Sequence, residues 1–115
     1  MPNNPPLPVL ETRFTTKQLV SVLEQSIIFS CACPAQVCRA INAQRSLFDY
    51  QLRCLDSKDT DAAVHRRIAD ATRATHAELE TCLHDILVLE GWDMQTLVMP
   101  AELTKRLAQE IERTG

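Results

Sequence analysis

The chain has 115 residues, of which 45% are hydrophobic and 23% are charged, and its formal net charge is −3. A chain of this length suits one domain with its own hydrophobic core. Acidic and basic residues are interspersed, so no basic stripe follows a phosphate backbone and no nucleic-acid partner is expected. No apolar run approaches the roughly 20 residues that span a bilayer. Residues 1–9 lack the apolar core of an export signal. We therefore expect a soluble, cytoplasmic protein without a membrane partner.

The N-terminal residues differ in composition from the rest of the chain. Residues 1–9 hold four prolines and two asparagines, whereas the whole chain has only two glycines. This pattern predicts a disordered, proline-rich tail over residues 1–13. Scarce glycine favours helices with short connections over strands and turns. Residues 14–115 are predicted to form a single helical domain.

The first helix is predicted over residues 16–31. Thr15 and Gln18 match the capping box, in which the first side chain caps the helix and the other reaches back to it. An amphipathic face follows at spacings of three and four residues. Its members are Leu19, Val22, Leu23, Ser26 and Ile27. Gln25, off this face, is expected in solvent.

The second helix is predicted from Pro34 to about residue 55. Proline disfavours helical geometry in the residue before it, so a tight bend is expected at Cys33. One long helix with a kink at the same place is the alternative. The predicted core stripe of this helix is Val37, Ile41, Phe48, Leu52 and Leu55. Tyr50 lies on another face and is a candidate interface residue.

The third helix is predicted to follow the capping cluster at residues 56–60 and to end at Gly91. Its apolar residues recur in steps of four and three, which is typical of left-handed bundle packing. Trp92 is expected to cover the end of the bundle. The predicted core stripe is Val64, Ile68, Ala71, Thr75, Leu79, Cys82 and Ile86.

Pro100 is predicted to open a short fourth helix with Leu103, Leu107 and Ile111 on one face. The short turn between helices 2 and 3 makes them antiparallel neighbours. The predicted fold is therefore all-α, an up-down bundle of three long helices plus a short C-terminal helix.

Antiparallel packing predicts a cluster of cysteines. Equal rise along helices 2 and 3 places Cys33 level with Cys82, while helix 1 ends at the same level. The four thiols of Cys31, Cys33, Cys38 and Cys82 should then gather at one end of the bundle, with His76 nearby. Four thiolates, or three with an imidazole, suit tetrahedral zinc, an iron–sulfur cluster or copper. The alternative is plain packing, because cysteine behaves as a small buried hydrophobe.

Catalytic patterns are weaker. The chain lacks the Glu-x-x-His pairs of di-iron bundles. A Cys38 nucleophile with His76 as its base has no visible third group to orient it. His76, Glu80 and His84 form a row that is expected to drift toward solvent.

Two functions of different class remain. The first is a non-enzymatic, homo-oligomeric interaction module, a homodimer that also binds a protein partner. The second is a small metal-binding or redox-sensing protein that uses the cysteine cluster.

Overall fold

The computed structural model describes residues 6–28, 32–56, 61–101, 103 and 112. The described part is all-α. Its three helices are α1 (Thr16–Ile28), α2 (Ala32–Asp56) and α3 (Ala62–Glu90). This part contains no strand, although Asp93 and Val98 form an isolated antiparallel bridge. None of its helices is long and apolar enough to cross a membrane.

The predicted short C-terminal helix is not confirmed. Three helices are found among the described residues, and most of the chain beyond Pro100, including Leu107 and Ile111, lies outside them. Leu103 is described, and it packs half-buried against the core.

The start of α1 follows the capping box that the sequence predicts. The Gln18 backbone N–H donates to Thr15 Oγ1 at 3.1 Å, and the Thr15 N–H donates to Gln18 Oε1 at 2.8 Å. Each bond satisfies a backbone donor that the first turn leaves without a helical acceptor. The structure describes α1 as far as Ile28, and residues 29–31, which its predicted extent includes, lie outside the described part.

The predicted bend at Cys33 is wrong. The second helix begins at Ala32, so Cys33 is helical and Pro34 is the third residue of α2. The N–H groups of a first turn have no intrahelical acceptor, and proline therefore loses no helical hydrogen bond at this position.

Helices α2 and α3 run antiparallel, as predicted. Gln44 is bonded to Thr75 at 2.5 Å, and Gln51 to His65 at 2.7 Å, so the α3 partner moves backward as α2 advances. A third bond joins Arg45 to His76 at 3.0 Å.

The face that α3 buries differs from the predicted one. Its buried side chains are Ala69, Thr72, His76, Glu80, Leu83 and Leu87. The predicted stripe from Val64 to Ile86 is only half-buried or exposed. The two stripes are offset by about 100° around the helix, the angle of one residue. The more polar stripe is buried because His76 and Glu80 find hydrogen-bonding or charged partners in the interior.

The end of α3 is closed as predicted. Gly91 has φ of 82°, its N–H donates to the Val88 carbonyl, and the Trp92 N–H donates to the Leu87 carbonyl, which is a Schellman motif. Trp92 is buried against the core. Gln25, expected in solvent, instead bonds the following loop through the Leu97 carbonyl and the Met99 N–H, each at 2.8 Å.

Candidate functional site

The predicted cysteine ligands occupy different environments. Cys33 is exposed, Cys38 is fully buried and Cys82 is half-buried, and all three are free thiols. Within the described ranges, no group of three or more His, Cys, Asp or Glu side chains could hold a metal ion. Cys31 lies outside those ranges, so the predicted set of ligands stays a prediction.

The observed register changes the level of Cys82. Counted six residues along each helix from the Arg45–His76 bond, Cys82 is level with Arg39. It therefore lies closer to the level of Cys38 than to that of Cys33.

Cys38 is a core side chain. It belongs to the hydrophobic cluster that includes Leu19, Val22 and Leu83. Burial raises the pKa of its thiol to about 11, so the thiol keeps its proton at neutral pH. A nucleophilic cysteine needs the opposite environment, one that favours the thiolate. Cys38 and His76 therefore do not resemble an activated nucleophile and its base.

The row of His76 and Glu80 does not drift toward solvent, contrary to the expectation from sequence. His76 is 0% exposed and Glu80 is 4% exposed. Only His84, one turn further on, is partly accessible. Two adjacent turns of α3 thus place an imidazole and a carboxylate inside the molecule, where each needs a partner.

The Glu80 carboxylate accepts hydrogen bonds from one side chain and two backbone groups. Its Oε2 accepts from the N–H groups of Arg13 and Phe14 at 2.7 and 2.9 Å, and from Arg45 Nη2 at 3.2 Å. Arg45 Nη2 also donates to the Phe14 carbonyl at 2.6 Å. The buried carboxylate is therefore both paired with a cation and hydrogen-bonded, which offsets the cost of its desolvation.

His76 is held as a neutral imidazole. Arg45 Nε donates to His76 Nε2 at 3.0 Å, so that ring nitrogen is an acceptor and we assign the proton to Nδ1. Nδ1 lies 3.6 Å from Glu80 Oε1 and has no hydrogen-bond partner. Burial lowers the pKa of His76, and the Arg45 charge lowers it further, against the opposing effect of the Glu80 charge.

We call Arg45, His76 and Glu80 the buried polar cluster. It attaches residues 6–15, the N-terminal segment, to the helix pair. At its other end this segment accepts a hydrogen bond from Arg66 Nη1 at the Pro6 carbonyl, at 3.3 Å. Residues 6–13, which the sequence assigns to a disordered tail, therefore follow α3 from the level of Arg66 to that of Glu80.

Neither Arg45 nor the backbone of Arg13 and Phe14 was predicted from the sequence as a partner of His76 and Glu80. One local signal was present. Phe14 immediately precedes the capping residue Thr15, and Leu19 is the fourth helical residue, which is the spacing of a hydrophobic staple. Both Phe14 and Leu19 are in the core cluster.

The side of α3 opposite the N-terminal segment is a mostly apolar surface. Arg66 and Glu80 mark the side of α3 that contacts the N-terminal segment. Val64 is two residues before Arg66 and Thr75 is five residues before Glu80, so both lie about 140 to 160° around the helix from that segment. Val64 is 56% exposed. Thr75 is also exposed, and it bonds Gln44 at the edge of α2. We call this surface the α3 seam; its members are Val64, Ile68, Ala71, Thr75, Leu79, Cys82 and Ile86.

The α3 seam has no charged member, and its other five side chains are half-buried. Leu47 of α2, three residues after Gln44 and hence on the same edge of that helix, is 41% exposed. The seam and this edge of α2 together form the candidate interaction surface.

Comparison of the chain with protein-family models, with curated proteins and with solved structures finds no match in any of the three.

Proposed function

We propose that the chain is a non-enzymatic helical interaction module that acts as a homo-oligomer through the α3 seam. The observation that carries this proposal is the incomplete burial of seven uncharged residues along one side of α3. From Val64 to Ile86 the seam is roughly 33 Å long, at the rise of an α-helix.

The spacing of the α3 seam supports a helical partner. Steps of three and four residues place side chains on one stripe that fits the grooves of a neighbouring helix. The other side of α3 is already covered by the N-terminal segment and by the contacts of the buried polar cluster. Val64 of the seam and Leu47 of α2 are exposed, while Leu79 and Ile86 pack partly against the core. Contiguous apolar surface on small proteins marks interaction sites.

The size of the surface agrees with a stable dimer. Two helices side by side present a strip about 20 Å wide, which over roughly 33 Å gives a footprint of about 660 Å², at the lower end of the ~600 to 1,000 Å² per partner of a standard interface. Two α2–α3 pairs in contact here form a bundle of four long helices, which differs from the predicted bundle of three long helices and a short one within a single chain.

A matched pair of substitutions tests the proposal. Ala71→Glu introduces a charge into the α3 seam, whereas Ala77→Glu introduces the same charge at an exposed position of α3 outside it. Light scattering after size exclusion should give twice the 13.0 kDa chain mass for the natural chain and for Ala77→Glu. Ala71→Glu should give the monomer mass with an unchanged helical circular dichroism spectrum.

Thr75→Glu provides a second test at an exposed seam position. Because it also removes the bond to Gln44, its circular dichroism spectrum is compared with that of the natural chain. Retention of the dimer mass in both seam variants would contradict the interface. A natural chain that stays monomeric, or that dimerises only with another protein, would contradict the homo-oligomeric function.

A further inference from the structure

We infer that the second copy packs antiparallel, α3 against α3, with the twofold axis passing beside Thr75. This inference rests on the proposed homo-oligomeric function and adds its geometry. It is carried by the spacing of the α3 seam and by the charges beside it.

The intervals between successive residues of the α3 seam are the same when counted from either end. From Val64 to Ile86 the steps are 4, 3, 4, 4, 3 and 4 residues, with Thr75 at the centre. Two such helices placed antiparallel therefore bring every seam residue opposite a seam residue. A twofold interface has this property, since the same patch contacts itself.

Two of the four kinds of antiparallel pair join a small side chain to a larger one, whereas Val64 lies opposite the partner's Ile86. Ala71 lies opposite the partner's Leu79, so that a small side chain faces a large one. Ile68 lies opposite the partner's Cys82. The two Thr75 side chains meet at the axis, where their small size allows the helices to approach closely. Facing large and small residues is the arrangement that fills a helix interface without voids.

The charges beside the α3 seam favour the antiparallel orientation. Arg67, Glu78 and Asp85 immediately precede the seam residues Ile68, Leu79 and Ile86, and all three charged residues are exposed. In a heptad repeat, these residues lie directly beside the apolar core positions. Charges at such positions determine which partner binds and in which orientation. The antiparallel arrangement places Arg67 within about two residues, roughly 3 Å, of the level of the partner's Asp85. A parallel arrangement places each of these charges level with its own copy.

Disulfide cross-linking of the full-length chain tests the arrangement. In Thr75→Cys the two introduced thiols meet at the axis, within the short Cα–Cα distance that a disulfide needs. Oxidised glutathione should convert them to an intermolecular disulfide, taking up the two electrons and two protons. Peptide mass spectrometry should identify the link between two copies of position 75. Ala77→Cys, at an exposed position outside the α3 seam, should give no such link.

Ile68→Cys gives an independent result with the native Cys82. The antiparallel register predicts a link between the introduced thiol and the partner's Cys82. A parallel register predicts links between two Cys82 residues, which the natural chain should then show without any substitution.

The outcomes separate this inference from the proposed function. A chain that sediments as a dimer but links Cys82 to Cys82, or gives neither predicted link, overturns the antiparallel register and leaves the homo-oligomer standing. A chain that is monomeric at all concentrations overturns both.

Discussion

Arg45 and His76 are joined by a hydrogen bond of 3.0 Å from the guanidinium Nε to the imidazole Nε2. The same arginine reaches Glu80 and the Phe14 carbonyl through Nη2. One side chain of α2 thus connects two turns of α3 with the N-terminal segment. This explains how α3 buries its more polar stripe and leaves the α3 seam only partly buried.

Removal of the Glu80 carboxylate should destabilise the fold. Glu80→Ala leaves the Arg45 guanidinium and two backbone N–H groups without their acceptor. Loss of one partner of a buried ion pair typically costs about 3 kcal/mol or more. Glu24→Ala, which alters an exposed carboxylate of α1 away from the α3 seam, should change the unfolding free energy by less than ~0.5 kcal/mol. Urea unfolding at fixed chain concentration measures both, and equal losses would contradict the role given to Glu80.

Acid should destabilise the protein through His76. Its pKa in the folded state lies below the ordinary value of 6.5, so the unfolded chain binds more protons once the pH falls below about that value. The free energy of unfolding should therefore be highest above pH 6.5 and decrease as the pH falls from there toward the folded-state pKa.

His76→Gln keeps an acceptor for Arg45 but does not titrate, so it should flatten this pH dependence. His84→Gln, at a half-exposed position, should retain it. Thermal unfolding at pH 5 to 8 provides the comparison. A slope that survives in His76→Gln would assign the effect to another group.

Substitution of Gly91 should weaken the end of α3 through its backbone alone. Gly91 has φ of 82°, yet nothing lies within 4 Å of the position that a Cβ would take. Gly91→Ala should therefore cost about 1 kcal/mol, the penalty of the left-handed region for a residue with a Cβ. Gly91→Asn should cost less, because asparagine tolerates this region better. Chemical denaturation of the two variants checks the order, and equal stability of Gly91→Ala and the natural chain would contradict it.

The cysteines should react at different rates with a thiol reagent. Cys33 is exposed, whereas Cys38 is fully buried with its pKa raised to about 11. We expect Cys33 to react rapidly at pH 8 and Cys38 to react only when the chain unfolds. Labelling followed by peptide mass spectrometry resolves the two sites. Rapid labelling of Cys38 in the folded protein would contradict its burial.

The same preparation tests the predicted metal site. Elemental analysis of chelator-free protein should give about one equivalent of zinc, iron or copper if Cys31, Cys33, Cys38 and Cys82 are ligands, with four protected thiols. No metal, with Cys33 and Cys82 reacting freely under anaerobic conditions, would exclude that ligand set.

The ends of two helices and the pairing of α2 with α3 were predicted correctly from nearby residues in the sequence. The capping box at Thr15 and Gln18 placed the start of α1 correctly, and Gly91 placed the end of α3. The antiparallel pairing of α2 and α3 followed from their short connection. Each of these features depends on residues close together in the chain.

The orientation of α3 could not be predicted in this way. Two stripes compete on this helix, and apolar periodicity favours the one from Val64 to Ile86. The stripe with His76 and Glu80 is buried because Arg45 and the backbone of Phe14, 31 and 66 residues away from them, supply their hydrogen bonds. No local pattern contains those partners.

The predicted cysteine cluster required a particular register between α2 and α3. Hydrogen bonds between α2 and α3 put Cys82 level with Arg39, several residues from the predicted level of Cys33. Such a shift follows from side-chain packing along the whole helix pair, which the length of the connecting turn does not specify.

The mass of the natural chain in solution tests the central claim most directly. Sedimentation equilibrium of the reduced, full-length protein over a range of micromolar concentrations should give twice the 13.0 kDa chain mass. A single species of 13.0 kDa at every concentration would show that the α3 seam does not join two copies.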